Sequence, residues 1–453
     1  MKRIAINLLV ILSFCSQLWG QSTPKPAVEA EETVYEYTSP NNGSGPLWCF
    51  GSTCIVRRGD DVFVSGQETL KEFQPLNNTR WRLFKRTDQG WQLVLADEKD
   101  RQREPCPLGV FGDGRLLLST NPTLTATNAH GGPANPHVLQ FSIADLKAPP
   151  VPLQPVWSKN PGFVEHSYRG LGVDGRNHEL VVLNNHGYEE QYWAFLDRRG
   201  QWANRGVIHY PVRGCYENAA LVNGACHVLA VGDIMEPVEA WRKWKFEKSG
   251  GRHWDYVFRR LFYVWTPAIA TTRFSEPLEL DNVDKTAGHL MNLDLWIDRD
   301  GAAYVLYQKI SVHNPAMRDK FLPGVPITTS LEHCVVRGNK VVSRQTLAIG
   351  GEGAGGEIPG WGRFHATGDG RLFVFYYCGG KDAKGKALDE NRLMEILPGG
   401  GHTEPVKVGL KNPFTSFMTA TVRGGSQPSN ILDVLGTCNG KPGTAICYAR
   451  IRL

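Results

Sequence analysis

The chain of 453 residues is 41% hydrophobic and 21% charged, with a formal net charge of +5. So mild a charge, carried in no block of like sign, gives no footprint for nucleic acid, and none is expected as a partner. Ten cysteines spread over this length also exclude a small disulfide scaffold.

Residues 1–20, MKRIAINLLVILSFCSQLWG, place Lys2 and Arg3 before an apolar run too short to span a bilayer comfortably, then turn small and polar. They read as a signal peptide cleaved after Gly20, which lowers the net charge to +3 and leaves nine cysteines. No later segment is apolar enough for a membrane helix. The mature chain is therefore expected to be secreted or periplasmic, without membrane insertion, and monomeric. Residues 21–45, beginning QSTPKPAVEAEETVYEYTSP, are polar and proline-bearing and read as an exposed leader.

From residue 46 to 453 the chain alternates short β-rich runs with Gly, Asp, Asn and Pro turns, and no long stretch keeps a helical period. One pattern recurs seven times: a short strand, a turn, and a second apolar strand. The turns fall at Asp60, Asp113-Gly114, Asp174-Gly175, Asn223-Gly224, Asp300-Gly301, Asp369-Gly370 and Gly424-Gly425. Asp-Gly and Asn-Gly pairs supply the positive φ angles that a tight hairpin needs. The six intervals average about 61 residues, longer than a minimal four-stranded repeat because loops are inserted. The expected fold is all-β, a single seven-bladed β-propeller, with the C-terminal run AICYARIRL completing a blade begun by the N-terminal segment. Two packed β-sandwiches are the rival, but no Pro/Gly-rich linker divides the chain.

Two inserts depart from the repeat. Residues 233–267 are rich in Trp, Arg and Lys and leave room for a short helix before strands resume at Tyr256; residues 351–362, GEGAGGEIPGWG, read as a glycine-rich loop. Neither carries a phosphate-cradling motif. Among the cysteines, Cys49 with Cys54 and Cys438 with Cys447 are the pairs nearest in sequence, with buried free thiols the competing reading. Cys226-His227 and His333-Cys334 are candidates for a structural zinc site, although paired short spacings are missing.

If every turn lies on one face of the disc, the start of each first strand and the end of each second strand emerge on the other. In the third repeat those ends are His166 and His186, and the fourth presents Tyr216 at the place equivalent to His166. The fifth adds His289 and Lys309, the sixth Arg363 and Tyr377. Such a rim is polar, cationic and aromatic, as a site for an acidic sugar should be. Imidazole beside phenol suits proton transfer, and the reaction asking for this set is β-elimination from a uronic acid. One group takes the C5 proton, another protonates the leaving glycosidic oxygen, and a cation damps the carboxylate charge. The expected catalytic residues are His166, His186 and Tyr216, and the expected substrate-binding residues are Arg242, His289, Arg363 and Asn185. His130, His137 and His178 read as structural. Hydrolysis would ask for two opposed carboxyls, and Glu189, Glu190, Glu217, Asp233 and Glu236 form no recognisable pair. The sialidase pattern S-x-D-x-G-x-T-W is also missing.

The stretches WCFGSTCIVRRGDDVFVSG, HSYRGLGVDGRNHELVVLNNHG, RGCYENAALVNGACHVLAVGD and YVFRRLFYVWTP resemble the secreted seven-bladed propellers of the BNR-repeat-containing family. That family includes propeller-fold ulvan lyases and the enzymes that cleave rhamnosyl-glucuronate ends. The resemblance implies a polysaccharide lyase on an acidic polysaccharide or oligosaccharide, with His166, His186 and Tyr216 matching the lyase pattern. No cofactor is required by that chemistry, and a structural zinc or calcium ion is compatible with it. The chain departs from the pattern twice. Gly232 and Asp233 stand where the lyases carry the neutralising arginine, leaving Arg242, Arg259 or Arg260 as substitutes; Phe50 stands where the hydrolase branch uses a histidine. A glycoside hydrolase and a non-catalytic carbohydrate-binding propeller are the alternatives.

Overall fold

A computed structural model describes residues 25–251 and 256–453. Its strands form seven antiparallel sheets of four strands each, the blades of one propeller. The seven hairpins expected from the turn pairs are the two inner strands of the seven blades. In the fourth blade, for example, Arg213–Val222 meets Ala225–Met235 across a two-residue turn, with φ of 51° at Asn223 and 80° at Gly224.

The turns gather on one face of the disc. Gly112 N donates to Gly175 O at 2.7 Å, Val110 N to Gly424 O at 2.9 Å, and Asn223 N to the Asp174 carboxylate at 3.0 Å. Inner strands sit between neighbouring blades and are buried almost throughout, as in Gly170–Asp174, whereas outer strands such as Trp202–His209 alternate with solvent. Side chains between blades make the core. Leu183, Trp193 and Phe195 of the third blade interlock with Val228, Phe262 and Val264 of the fourth, each burial contributing about 2 kcal/mol.

The last blade contains both ends of the described chain. Phe414–Thr419, Ile431–Cys438 and Ala445–Arg452 are completed by Ala27–Glu36, which pairs with Ala445–Arg452 as the outermost strand. Part of the leader expected over 21–45 is thus a propeller strand. Its glutamates masked it: Val34 and Tyr35 turn inward, while Glu29 meets Arg450 and Arg452, and Glu32 meets Arg86. The signal peptide expected at 1–20 lies outside the described residues.

The 233–267 insert holds helix α1, Glu239–Lys248, before the strand Tyr256–Thr266. Helix α2, Pro315–Phe321, packs its Met317 against Trp244 of α1. Among the described residues no helix is long and apolar enough to cross a membrane. The expected loop over 351–362 is a loop only in its first half, because Glu357–Ala366 forms the inner strand of the sixth blade, bulged between Pro359 and Gly362.

Candidate active site

On the face opposite the turns, the chain entering the third blade carries His166 and Tyr168, and Gly170 pairs with Leu183 across the hairpin. Asn185 N donates to Ser167 O at 2.9 Å, so His166 and His186 reach the same rim. Tyr216 comes from the adjoining inner strand, where a bulge between Cys215 and Asn218 breaks the ladder and turns its side chain toward this rim. Both tyrosines have left-handed backbones, with φ of 39° at Tyr168 and 56° at Tyr216. Such conformations cost bulky residues about 1–3 kcal/mol each and persist only where the surroundings over-determine them.

These groups are contiguous. The His166 ring lies 4.4 Å from that of Tyr168, which meets Tyr216 edge-on at 4.8 Å. His166 Nδ1 stands 3.0 Å from the buried Glu104 carboxylate, which also accepts from Ser167 N and Oγ. With Nδ1–H given to Glu104, Nε2 is the nitrogen left to meet a substrate. The Tyr168 hydroxyl donates to Asp233 at 3.3 Å, Asp233 pairs with Arg213, and the Arg213 guanidinium sits 5.1 Å from the rings of both Tyr168 and the exposed Tyr188. Imidazole, two phenols and a guanidinium therefore form one contiguous cluster at this rim.

Its inner wall is the segment 48–54, which reaches into the ring from the first blade. Phe50 stacks on Tyr216 at 3.9 Å, and Trp48 meets it edge-on at 5.8 Å. Gly51 lies so close that a Cβ would stand 1.9 Å from the Tyr216 carbonyl oxygen. Polar side chains from the inner strands hold the segment: Asn218 and Arg423 donate to Gly51 O, and Arg363 donates to Phe50 O at 2.6 Å. Asn292 donates to Tyr216 O and Asn218 Oδ1, each at 2.6 Å, and Arg423 is paired with Asp294.

Burial governs the electrostatics. It raises the Tyr168 and Tyr216 phenols well above their ordinary value, keeping both protonated as hydrogen-bond donors. Burial also works to raise Glu104, but the hydrogen bond and charge of His166, with Arg169 and Arg103, hold its carboxyl below the usual range. Burial raises Asp233 against the opposing pull of Arg213.

The structure thus brings His166 and Tyr216 together through Tyr168. Tyr216, only 5% exposed, lies at the base of the cluster, while His166 keeps 25% of its side chain exposed. His186 stands at the outer rim, exposed and 3.5 Å from Glu190. His289 joins from the far side through Phe258, which lies 5.8 Å from Tyr216 and 5.5 Å from His289. Burial, with His313 and Arg259 nearby, pushes the His289 imidazole down to about 3. The remaining residues lie elsewhere. Arg242 is on the exposed side of α1; Arg363 is buried beneath Phe50. Asn185 is a buried cross-link, donating to Gly214 O and accepting from Gln191 at 2.8 Å. Lys309 pairs with Asp281, Arg259 with Glu236, and Arg260 with Asp284.

Sequence reasoning missed Glu104, Tyr168 and Arg213. Tyr168 had a signal, since residues two apart in an extended run share a side. Arg213 begins the strand that carries Tyr216, whereas Glu104 lies in an irregular loop with no periodicity to mark it. The proposed zinc residues are packed in separate blades: His227 bonds Tyr263 at 2.6 Å, and His333 contacts Gln345 at 3.0 Å. Among the described residues no three His, Cys, Asp or Glu side chains converge to hold a metal.

No family model matches the chain, and no curated protein matches it in sequence. Among solved structures it is similar to the polysaccharide lyase Uly1, with a TM-score of 0.51 at 9% identity over 94% of this chain and 93% of that one. A protein of unknown function from Dyadobacter fermentans aligns with a TM-score of 0.47 at 10% identity, covering 95% of this chain and 100% of the other. An apocarotenoid oxygenase from Synechocystis reaches 0.41 at 11% identity, over 92% and 88% of the two chains. At such identities the likeness is one of fold.

Proposed function

We propose that this chain is an exported polysaccharide lyase that cleaves a uronic-acid-containing glycan by β-elimination. One observation carries the reading: an imidazole oriented by a buried carboxylate contacts a phenol pair, and a guanidinium lies against one of the phenol rings. Elimination needs a base, a proton donor and a cation within reach of one sugar ring.

In this mechanism the uronate carboxylate lies toward Arg213, with His186 as a second cationic group when protonated. The cation stabilises the negative charge that builds on the carboxylate as C5 loses its proton. His166 Nε2 accepts that proton while Glu104 stabilises the imidazolium. The C4–O bond then breaks, the C4=C5 double bond forms, and the leaving oxygen takes a proton from the Tyr216 phenol, with Tyr168 as its neighbour in the relay. Arg213 fills here the role that the sequence left to Arg242. The resemblance in the sequence points to an ulvan-like or rhamnose-glucuronate chain as substrate.

Hydrolysis is less well served. Glu236 is committed to Arg259 and Lys245, and Glu217 is fully buried.

Incubation with uronate glycans should release an unsaturated product with the ultraviolet absorbance of a carboxylate-conjugated double bond. New reducing ends without that absorbance would mean hydrolysis, and binding without either a non-catalytic propeller. His166→Ala and Tyr216→Phe should each lower turnover about a hundredfold or more. Near-normal rates in both variants would remove this site from the reaction.

A further inference from the structure

The segment that packs against Tyr216 is WCFGSTC, and a cysteine stands on each side of Phe50 and Gly51 within it. Cys49 Sγ and Cys54 Sγ are 3.4 Å apart, and both residues are buried. Between them lie Phe50, whose ring stacks on Tyr216 and whose carbonyl accepts from Arg363, and Gly51, whose carbonyl accepts from Asn218 and Arg423. Ser52 follows, its Oγ accepting from Leu171 N of the third blade at 3.1 Å. The contacts that seat the segment on the neighbouring blades thus come from residues a Cys49–Cys54 bond would enclose.

We propose that Cys49 and Cys54 form a disulfide, and that the covalent ring clamps Phe50 and Gly51 against Tyr216 to fix the base of the cluster. The two sulfurs must approach by on the order of 1 Å to bond. Before the segment is seated either thiol is open to ionisation and attack, and the two orders give the same product. The co-reactant is a disulfide donor of the kind an exported chain meets. With Cys54 first, its thiolate attacks one donor sulfur, giving a mixed disulfide and releasing one donor thiolate. Cys49, losing its proton, then displaces the second donor sulfur. One protein S–S bond forms, one donor S–S bond breaks, and the two thiol protons end on the two donor thiols. Because both sulfurs are enclosed in the finished propeller, the exchange belongs to the stage before segment 48–54 is seated.

The test uses the purified full chain recovered from an oxidising compartment. The protein is unfolded in denaturant with iodoacetamide, digested and weighed with and without prior reduction. The expected result is a peptide spanning residues 49–54 that carries no adduct until reductant is added, and then two. Two adducts without reductant would overturn the bond. The clamp is tested in the Cys438→Ala/Cys447→Ala background, which removes the other close cysteine pair. Reduction there in denaturant, followed by refolding under reductant, should speed amide exchange at residues 50–54 at least about tenfold and lower Tm by about 2–5 °C. Unchanged exchange in that segment would overturn the clamp even if the bond is present. Neither readout uses the lyase reaction, so a chain with no lyase activity would leave this result intact.

Discussion

A histidine on a propeller rim gains its chemistry from what stands behind it, and behind His166 stands a carboxylate with 5% of its side chain exposed. The folded pKa of Glu104 lies below the unfolded one. Its contribution is therefore present above about pH 4 and lost only as pH falls through the depressed value. Glu104→Gln keeps the shape but removes the charge that orients Nδ1–H and stabilises the imidazolium. It should lower kcat about ten- to a hundredfold with KM nearly unchanged, as steady-state rates on a uronate glycan would show; an unchanged kcat would make Glu104 structural. Glu217 has the opposite sign. It is fully buried, and burial raises its carboxyl well above the ordinary value against the weaker pull of its own backbone N–H and of Gln191. Its contribution is complete below about pH 4 and lost as pH rises toward the folded value, by up to about 1.4 kcal/mol per unit. Glu217→Gln has no such proton to lose, so its advantage in urea midpoint over the wild type should grow from about pH 5 to about pH 8. A difference that stays constant would mean that Glu217 ionises freely in the fold.

Among elements, segment 48–54 shows where reading from sequence stops. The hairpin rule needs only local information, a turn pair between two apolar runs, and it is enough to put His166 and His186 on one rim with Tyr216 next along it. Nothing local says that Phe50 reaches into the ring, because its partners Tyr216 and Arg363 are 166 and 313 residues away along the chain. Arg213 was hidden for another reason. Its side chain is defined by Asp233 on the facing strand, and that pairing depends on a register the bulge at Tyr216 shifts. The segment's role can be tested at Gly51. An added Cβ would meet backbone, which cannot move aside as a side-chain tip could. Gly51→Ala should therefore cost about 3 kcal/mol or more in denaturant unfolding and displace Phe50 from Tyr216. A loss below about 1 kcal/mol would show that the segment yields easily.

For the whole molecule, the propeller was legible because seven turn pairs repeat the same physical instruction, and the expected blade count is the observed one. The closing strand was harder to see. In Ala27–Glu36 the glutamates Glu29, Glu31 and Glu32 come before the two buried residues, so the stretch reads as solvent-exposed until its partner strand is known. Two contributions hold it: ion pairs of Glu29 and Glu32 with three arginines, and the ladder to Ala445–Arg452 with Val34 and Tyr35 packed in the core. Partly exposed ion pairs are worth about 0–1 kcal/mol each, whereas losing the strand uncovers a backbone edge and apolar surface together. Glu29→Gln/Glu32→Gln should therefore shift the thermal midpoint by no more than about 3 °C. A chain starting at residue 37 should melt at least about 10 °C lower and self-associate through the bared strand, as light scattering after size exclusion would record. If instead the truncated chain stays monomeric at the wild-type midpoint, three strands suffice to close the ring, and Ala27–Glu36 is an ornament on a propeller held shut from within.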